Sequence, residues 1–443
     1  MKKILYISLL YLTLFQAIYA QKPNIIVILT DDMGVGDIAC YGGKLLPTPH
    51  LDHLARNSIQ FTNYYSASPI CSPSRTGILT GSHPAKWNIT SFLQTKKGNA
   101  ECQQADFLTL EAPSIAQVLQ KSGYKTGHFG KWHMGGGRDV KNAPAIAQYG
   151  FDEWSSTWES PNPDPIITST NWIWADSDSV KRWNRTAYFV DKTLAFLQKH
   201  KGQPCFINLW PDDVHTPWVP FKDDVTKPSD GPEAKSSFKA VMEVYDREIG
   251  RLMDGLKKLG MDQNTLVIFT SDNGALPTFN GARSVNFRGS KLSLYEGGIR
   301  MPFLVHYPAK IKRGKIDSVS VLHANDLFPS LCALAGAKTE AKIDGKNKLK
   351  TLLGQPSKEA RTLFWEYGRN ETSFRYPQGK DRSPQLAVRE GDWKLLMNAN
   401  GNDVQLYNLK TDSAEQQNIA MENQSVVDPL KNKLLKWWES LPH

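Results

Sequence analysis

Four short apolar runs, each ending in polar residues able to do chemistry, constrain the fold of this chain more than any other feature. They are NIIVILT at Asn24–Thr30, the stretch 126–130, CFINLW at Cys205–Trp210 and TLVIFT at 265–270. Runs that are apolar throughout read as strands buried on both faces, which happens when helices cover a parallel sheet. A further strand is expected at 302–307. Helices are expected at 113–122, 183–200 and 238–259, the first stopped by Gly123 and the last by Gly260. Strands alternating with helices predict an α/β fold, a largely parallel sheet flanked by helices. After about Ala337 the pattern changes to short alternating segments at 363–367, 386–389, Trp393–Met397 and 404–409, closed by a helix near 426–441. That predicts a smaller C-terminal antiparallel-sheet subdomain, with boundaries at 21–337 for the first unit and 338–443 for the second.

Residues 1–20 stand apart. Lys2 and Lys3 precede an apolar run from Ile4 to about Phe15, and Ala20 supplies a small residue before Gln21. This reads as a signal peptide, so the mature chain is expected to be exported, periplasmic or secreted, with no membrane-spanning segment. The formal net charge of +9 includes those two lysines, leaving 9 − 2 = +7 for the mature chain. A field of that sign attracts anionic substrates. The basic residues are scattered rather than gathered into a stripe, which argues against nucleic acid as a partner. Cys40, Cys71, Cys102, Cys205 and Cys332 are an odd number without CxxC spacing, so neither a disulfide framework nor a zinc knuckle is indicated.

The polar clusters follow the strands. Asp31 and Asp32 follow the first, Lys131 and His133 the second, His215 the third, and Asp272 and Asn273 the fourth. In a parallel sheet these ends share one edge, where ligands of open α/β folds bind. A single Asp at such a place could equally cap a helix or close a turn. Four oxygen donors arriving as two adjacent pairs favour a hard divalent cation, and the absence of thiolate pairs argues against a softer one. The segment SPICSPSRTGILTG puts Cys71 two residues before Pro73 at the amino end of an expected helix. Such a position holds anions and lowers a thiol's pKa, although Cys71 alone also reads as a buried structural thiol.

At these residues the sequence resembles the type I sulfatases of the alkaline-phosphatase-like superfamily. Cys71-Ser72-Pro73-Ser74-Arg75 matches the family's Cys-x-Pro-Ser-Arg signature, and Thr76-Gly77 through Leu79-Thr80-Gly81 continues it. The likeness extends to Asp31-Asp32-Met33-Gly34, Gly130-Lys131-Trp132-His133, His215-Thr216-Pro217, Ser271-Asp272-Asn273-Gly274, and Lys291 with Tyr295-Glu296-Gly297-Gly298-Ile299-Arg300. It implies hydrolysis of sulfate esters, with sulfated carbohydrate as the expected substrate. It further implies one calcium ion per chain on Asp31, Asp32, Cys71, Asp272 and Asn273, and conversion of Cys71 to formylglycine by a formylglycine-generating maturation enzyme. The hydrated aldehyde would attack sulfur through one hydroxyl and expel sulfate by collapse through the other. Lys131 and Lys291 would neutralise the sulfate oxygens. Arg75 would hold the diol and the metal ligands, His133 would act as the base for collapse, and His215 as the acid for the departing alcohol. A phosphatase or phosphonate monoester hydrolase of the same superfamily, and an inactive sulfoglycan-binding protein, are the competing readings. The tryptophan-rich stretch 154–183 matches none of the shared motifs; its rings would either stack on sugar faces or pack an insertion.

Overall fold

The computed structural model describes residues 22–221, 234–369 and 379–442; the expected signal peptide at 1–20 lies outside them. The main sheet has nine strands: β1 (Asn24–Thr30), β2 (Ile59–Tyr65), β3 (Lys125–Gly130), β4 (Glu153–Ser156), β5 (Cys205–Trp210), β6 (Thr265–Ser271), β7 (Arg300–His306), β8 (Lys315–Asp317) and β9 (Leu322–His323). Their order is β4-β3-β5-β1-β6-β7-β2-β8, with β9 paired to β2. β7 runs antiparallel to both neighbours, β6 and β2, and every other pairing is parallel. The sheet is therefore mixed and largely parallel.

The alternation of side chains along a strand sends successive residues of β1 into different layers. Ile25, Val27 and Leu29 enter one core cluster with Ile78, Leu79, Ile115 and Leu119, from the helices Cys71–Thr80 and Ile115–Lys121. Ile26 and Ile28 enter the other with Phe189, Phe196, Phe238 and Tyr245, from Arg185–Lys199 and Lys235–Lys258. Helices thus cover both faces, and all seven β1 residues are buried.

A second, antiparallel sheet follows, in the order β10 (Thr362–Glu366), β11 (Leu386–Glu390), β12 (Trp393–Met397) and β13 (Gln405–Asn408). One face packs Val388, Leu395 and Leu406 against Val427, Leu430 and Leu434 of the closing helix Gln424–Glu439. Trp365, Ala387, Leu396 and Tyr407 share a different cluster with Tyr65, Ile70 and Cys71. The Trp365 indole donates to the Ser66 carbonyl at 2.8 Å. The second sheet thus backs the segment that leads into Cys71. No helix among the described residues is long and apolar enough to cross a membrane.

Candidate active site

β1, β3, β5 and β6 are mutually parallel neighbours, so the segments after them meet at one edge. Asp31 and Asp32 leave β1, and Asp32 takes a left-handed backbone (φ 58°). Its amide donates to Asp272 Oδ1 at 3.1 Å, across the β1–β6 pair. Asn273 Nδ2 donates to Asp32 Oδ1 at 2.7 Å. Gly274 closes this corner, because a Cβ there would lie 2.0 Å from the Gly297 carbonyl oxygen. All four acidic and amide residues are buried.

Three cations bind these carboxylates together. Arg75, fully buried on the Cys71 helix, places Nη2 2.7 Å from Asp272 Oδ2 and 3.1 Å from Asp31 Oδ1. Its Nη1 donates to the Lys131 carbonyl at 2.9 Å. Lys131 Nζ donates to Asp31 Oδ2 at 2.9 Å, and Lys291 Nζ to Asp32 Oδ2 at 2.6 Å. Burial raises the Asp31 and Asp32 pKa values, but the surrounding cations outweigh it and hold both below the usual range. Asp272 is pushed up to about 7 by burial and by the Asp31 charge.

The oxygens have capacity left for a cation. Asn273 Oδ1 is buried with no hydrogen-bond partner among the described residues, and Asp31 Oδ1 is close to Arg75 but makes no aligned hydrogen bond. Single ligand atoms of Asp31, Asp32, Cys71 and His215 lie within 4.8 Å of one another. Sulfur and nitrogen thus stand beside the two carboxylates in that group, and it is the Asp31, Asp32 and Asn273 oxygens that suit a hard divalent cation.

Cys71 is the first residue of its helix, with Ile70 as the extended N-cap. The expectation of a lowered thiol pKa does not hold: the thiol is pushed up to about 12. Desolvation is the largest cause and exceeds the opposing pull of Lys131 and Lys291. The unmodified thiol is a poor nucleophile here.

Both histidines are fixed by backbone carbonyls. His133 Nε2 faces the Leu93 carbonyl at 3.0 Å and so donates, which leaves Nδ1 as the acceptor; Nδ1 has no partner among the described residues. Burial pushes its pKa down to about 3, so it is neutral. His215 Nδ1 donates to the Thr216 carbonyl at 2.5 Å, leaving Nε2 3.3 Å from Lys291 Nζ and 3.5 Å from Asp32 Oδ2. Cys71, Lys131, His133, His215 and Lys291 line one cavity of about 260 Å³.

Every residue singled out from the sequence thus reaches one site, but the sequence reading missed others there. Glu159 lies 3.6 Å from Lys131 Nζ and 3.5 Å from His133 Nε2, and is held down to about 2, burial being overcome by His133, Lys131 and Arg138. Nothing in its surrounding sequence marks it. Asp212, paired with Arg182 and Arg185, stands two residues beyond β5 and meets the criterion that picked out Asp31. Arg182 also donates to the His215 carbonyl at 3.1 Å, fixing that turn.

The model of the Sulfatase family matches residues 23–337, well over half of the chain. The chain belongs to the sulfatase family. A second model, described as N-sulphoglucosamine sulphohydrolase, C-terminal, matches residues 289–440. This sulfatase is 30% identical to the N-acetylgalactosamine-6-O-sulfatase of Bacteroides thetaiotaomicron, over 94% of its own length and 93% of the relative's. It is 31% identical to human N-acetylgalactosamine-6-sulfatase, covering 79% of this chain and 69% of that one. Among solved structures it superposes with a TM-score of 0.77, at 27% identity, on one from the glycosaminoglycan metabolism of Bacteroides thetaiotaomicron, covering 94% and 98% of the two chains. It superposes with a TM-score of 0.75, also at 27% identity, on Ps i-CgsB in complex with k-i-k-neocarrahexaose, covering 94% and 93%. Sulfate-ester hydrolysis is accordingly this chain's activity.

Proposed function

We propose that this sulfatase removes sulfate from a sulfated carbohydrate outside the cytoplasm, through formylglycine derived from Cys71 and with calcium at Asp31, Asp32, Asp272, Asn273 and residue 71. The observation that carries this reading is the meeting of Lys131, Lys291, His133 and His215 around the buried amino end of the Cys71 helix. Relatives named for N-acetylgalactosamine sulfate, and a neighbour solved with a carrahexaose, support sugar as the substrate class.

Formylglycine would supply a hydrated aldehyde able to attack sulfur and later release it, which a thiol pushed up to about 12 cannot do well. Calcium would supply a fixed positive charge beside the sulfate oxygens. Lys131 and Lys291 are already oriented by Asp31 and Asp32, so they meet the sulfate without reorganising. His215, whose Nδ1–H is held by the Thr216 carbonyl, presents Nε2 to the Lys291 ammonium, and the departing sugar oxygen takes its proton from this His215–Lys291 pair, His215 passing it on through Nε2. His133, neutral and with a free Nδ1, accepts the proton released when residue 71 lets sulfate go. Arg75 touches Asp31, Asp272 and the Lys131 carbonyl, and keeps the oxygen ligands in register. Maturation by a formylglycine-generating enzyme completes the scheme.

The test is release of inorganic sulfate and phosphate from matched aryl and sugar esters, before and after exhaustive chelation. Sulfate release well above phosphate release, lost on chelation and restored by calcium, is expected. Faster phosphate release, or sulfate release indifferent to chelation with no bound divalent ion by elemental analysis, overturns the substrate or the metal assignment respectively.

A further inference from the structure

Besides Lys131 and Lys291, the catalytic cavity is lined by a further cation, Arg138, that touches none of the oxygen ligands. Arg138 lines it together with Trp158 and Ile173. The chain goes to some length to put Arg138 there. Gly135, Gly136 and Gly137 have φ of 117°, 87° and 73°, and Arg138 itself is left-handed at 51°. A Cβ on Gly136 would fall 2.2 Å from the Pro161 nitrogen, and one on Gly137 2.6 Å from the Trp158 carbonyl oxygen. Glycine is what lets this loop press against the 158–161 backbone and end in a strained arginine.

Arg138 has charge and donors to spare. Nη2 donates to Glu159 Oε1 at 3.1 Å, but the same carboxylate also serves Lys131 and His133. Arg138 Nε has no partner among the described residues, and the side chain keeps 25% of its surface exposed. Its guanidinium carbon lies 4.6 Å from the Trp158 ring centroid, a cation–π contact. Trp158 is 7% exposed, and its ring centroid is 6.4 Å from that of Trp172, which is 57% exposed. An arginine in cation–π contact with one indole, beside a second and exposed indole, is suited to a sugar that carries an anion of its own.

Resting on the sulfatase reading above, we infer that Arg138, seated on Trp158, binds a second anionic group of the substrate, a carboxylate or a further sulfate, on the same sugar or its neighbour. Arg138 is in this account a specificity residue that does not touch the scissile sulfate.

The experiment compares kcat/KM for three sulfated saccharides sharing one scissile sulfate: one otherwise neutral, one with a uronate neighbour, one with a second sulfate. Each is tested on the wild type, Arg138→Gln and Arg138→Lys. Loss of a charge-assisted hydrogen bond predicts a fall of about 10- to 100-fold for Arg138→Gln on at least one doubly anionic substrate, less than about threefold on the neutral one, and partial recovery in Arg138→Lys. The arm that falls identifies carboxylate or sulfate as the group bound. An equal fall on all three, or none on any, overturns the inference. Calorimetric binding of the same three saccharides to Cys71→Ser and to Cys71→Ser with Arg138→Gln reads the same preference without turnover. Absence of sulfate release from all three by the wild type counts against the sulfatase reading alone, while the binding ratio still decides the role of Arg138.

Discussion

His133 and His215 occupy different electrostatic positions, and their variants should differ in kind. His215 Nε2 sits beside Lys291, where a proton is at hand, whereas His133 is buried with a free acceptor and no neighbouring donor at Nδ1. His215→Ala is expected to fall by about 100-fold or more on sugar sulfates, whose alkoxides need a proton, and much less on activated aryl sulfates. His133→Ala should fall by a similar factor on both, with sulfate retained on the peptide containing residue 71. A leaving-group series with intact-mass analysis checks this, and equal leaving-group sensitivity with no retained sulfate in either variant contradicts the assignment. At this scale the motifs made both histidines legible, but not their tautomers, which are set by the carbonyls of Leu93 and Thr216. The thiol of Cys71 misled for a related reason: proximity to a helix amino end is visible in sequence, whereas complete burial, the larger effect, is not.

The Cys71 helix is positioned by close packing rather than by propensity. Gly77 faces Ala67, and a Cβ there would lie 2.4 Å from Ala67 Cβ and 2.8 Å from Asn325 Oδ1. Gly77→Ala should therefore cost about 1–3 kcal/mol and displace residue 71. A lowered Tm together with a fall in kcat is the expected outcome; unchanged values of both would show that the helix has room to shift. Elements were legible where burial on both faces makes the run apolar, as in β1, β5 and β6. β2 escaped notice because IQFTNYY mixes the polar Gln60, Thr62 and Asn63 with its apolar residues, although Gln60 too is buried. The antiparallel direction of β7 was equally hidden, since strand direction leaves no trace in a short apolar run. Glu159 and Arg138 belong to loops whose meeting depends on the glycine backbone at 135–137, for which no spacing rule exists.

Across the whole molecule, the buried histidine His128 ties stability to pH. It is fully buried on β3, edge-on to Trp132 and Trp210, and desolvation pushes its pKa down to about 3. An unfolded histidine titrates near 6.5 and binds the proton first, so stability rises with pH and is lost as pH falls from about 6.5 toward 3. Urea denaturation at pH 6.5 and 5.0 should show the wild type losing about 1–2 kcal/mol more than His128→Leu over that interval. Parallel losses would show that the ring is protonated in the fold. The alkaline-phosphatase-like architecture was readable because the motifs sit at the ends of parallel neighbours; the docking of the second sheet behind Ile70 and Cys71 was not, since Trp365 and Ser66 are far apart in sequence. The central claim, that sulfate leaves through residue 71, is tested most directly by ion chromatography of sulfate released from a sulfated sugar by the mature wild type and by Cys71→Ala. The account predicts steady release by the wild type, whose residue-71 peptide carries the aldehyde or its hydrate, and none above background by the variant; equal release by both, or full activity with an unmodified Cys71 thiol, would contradict it.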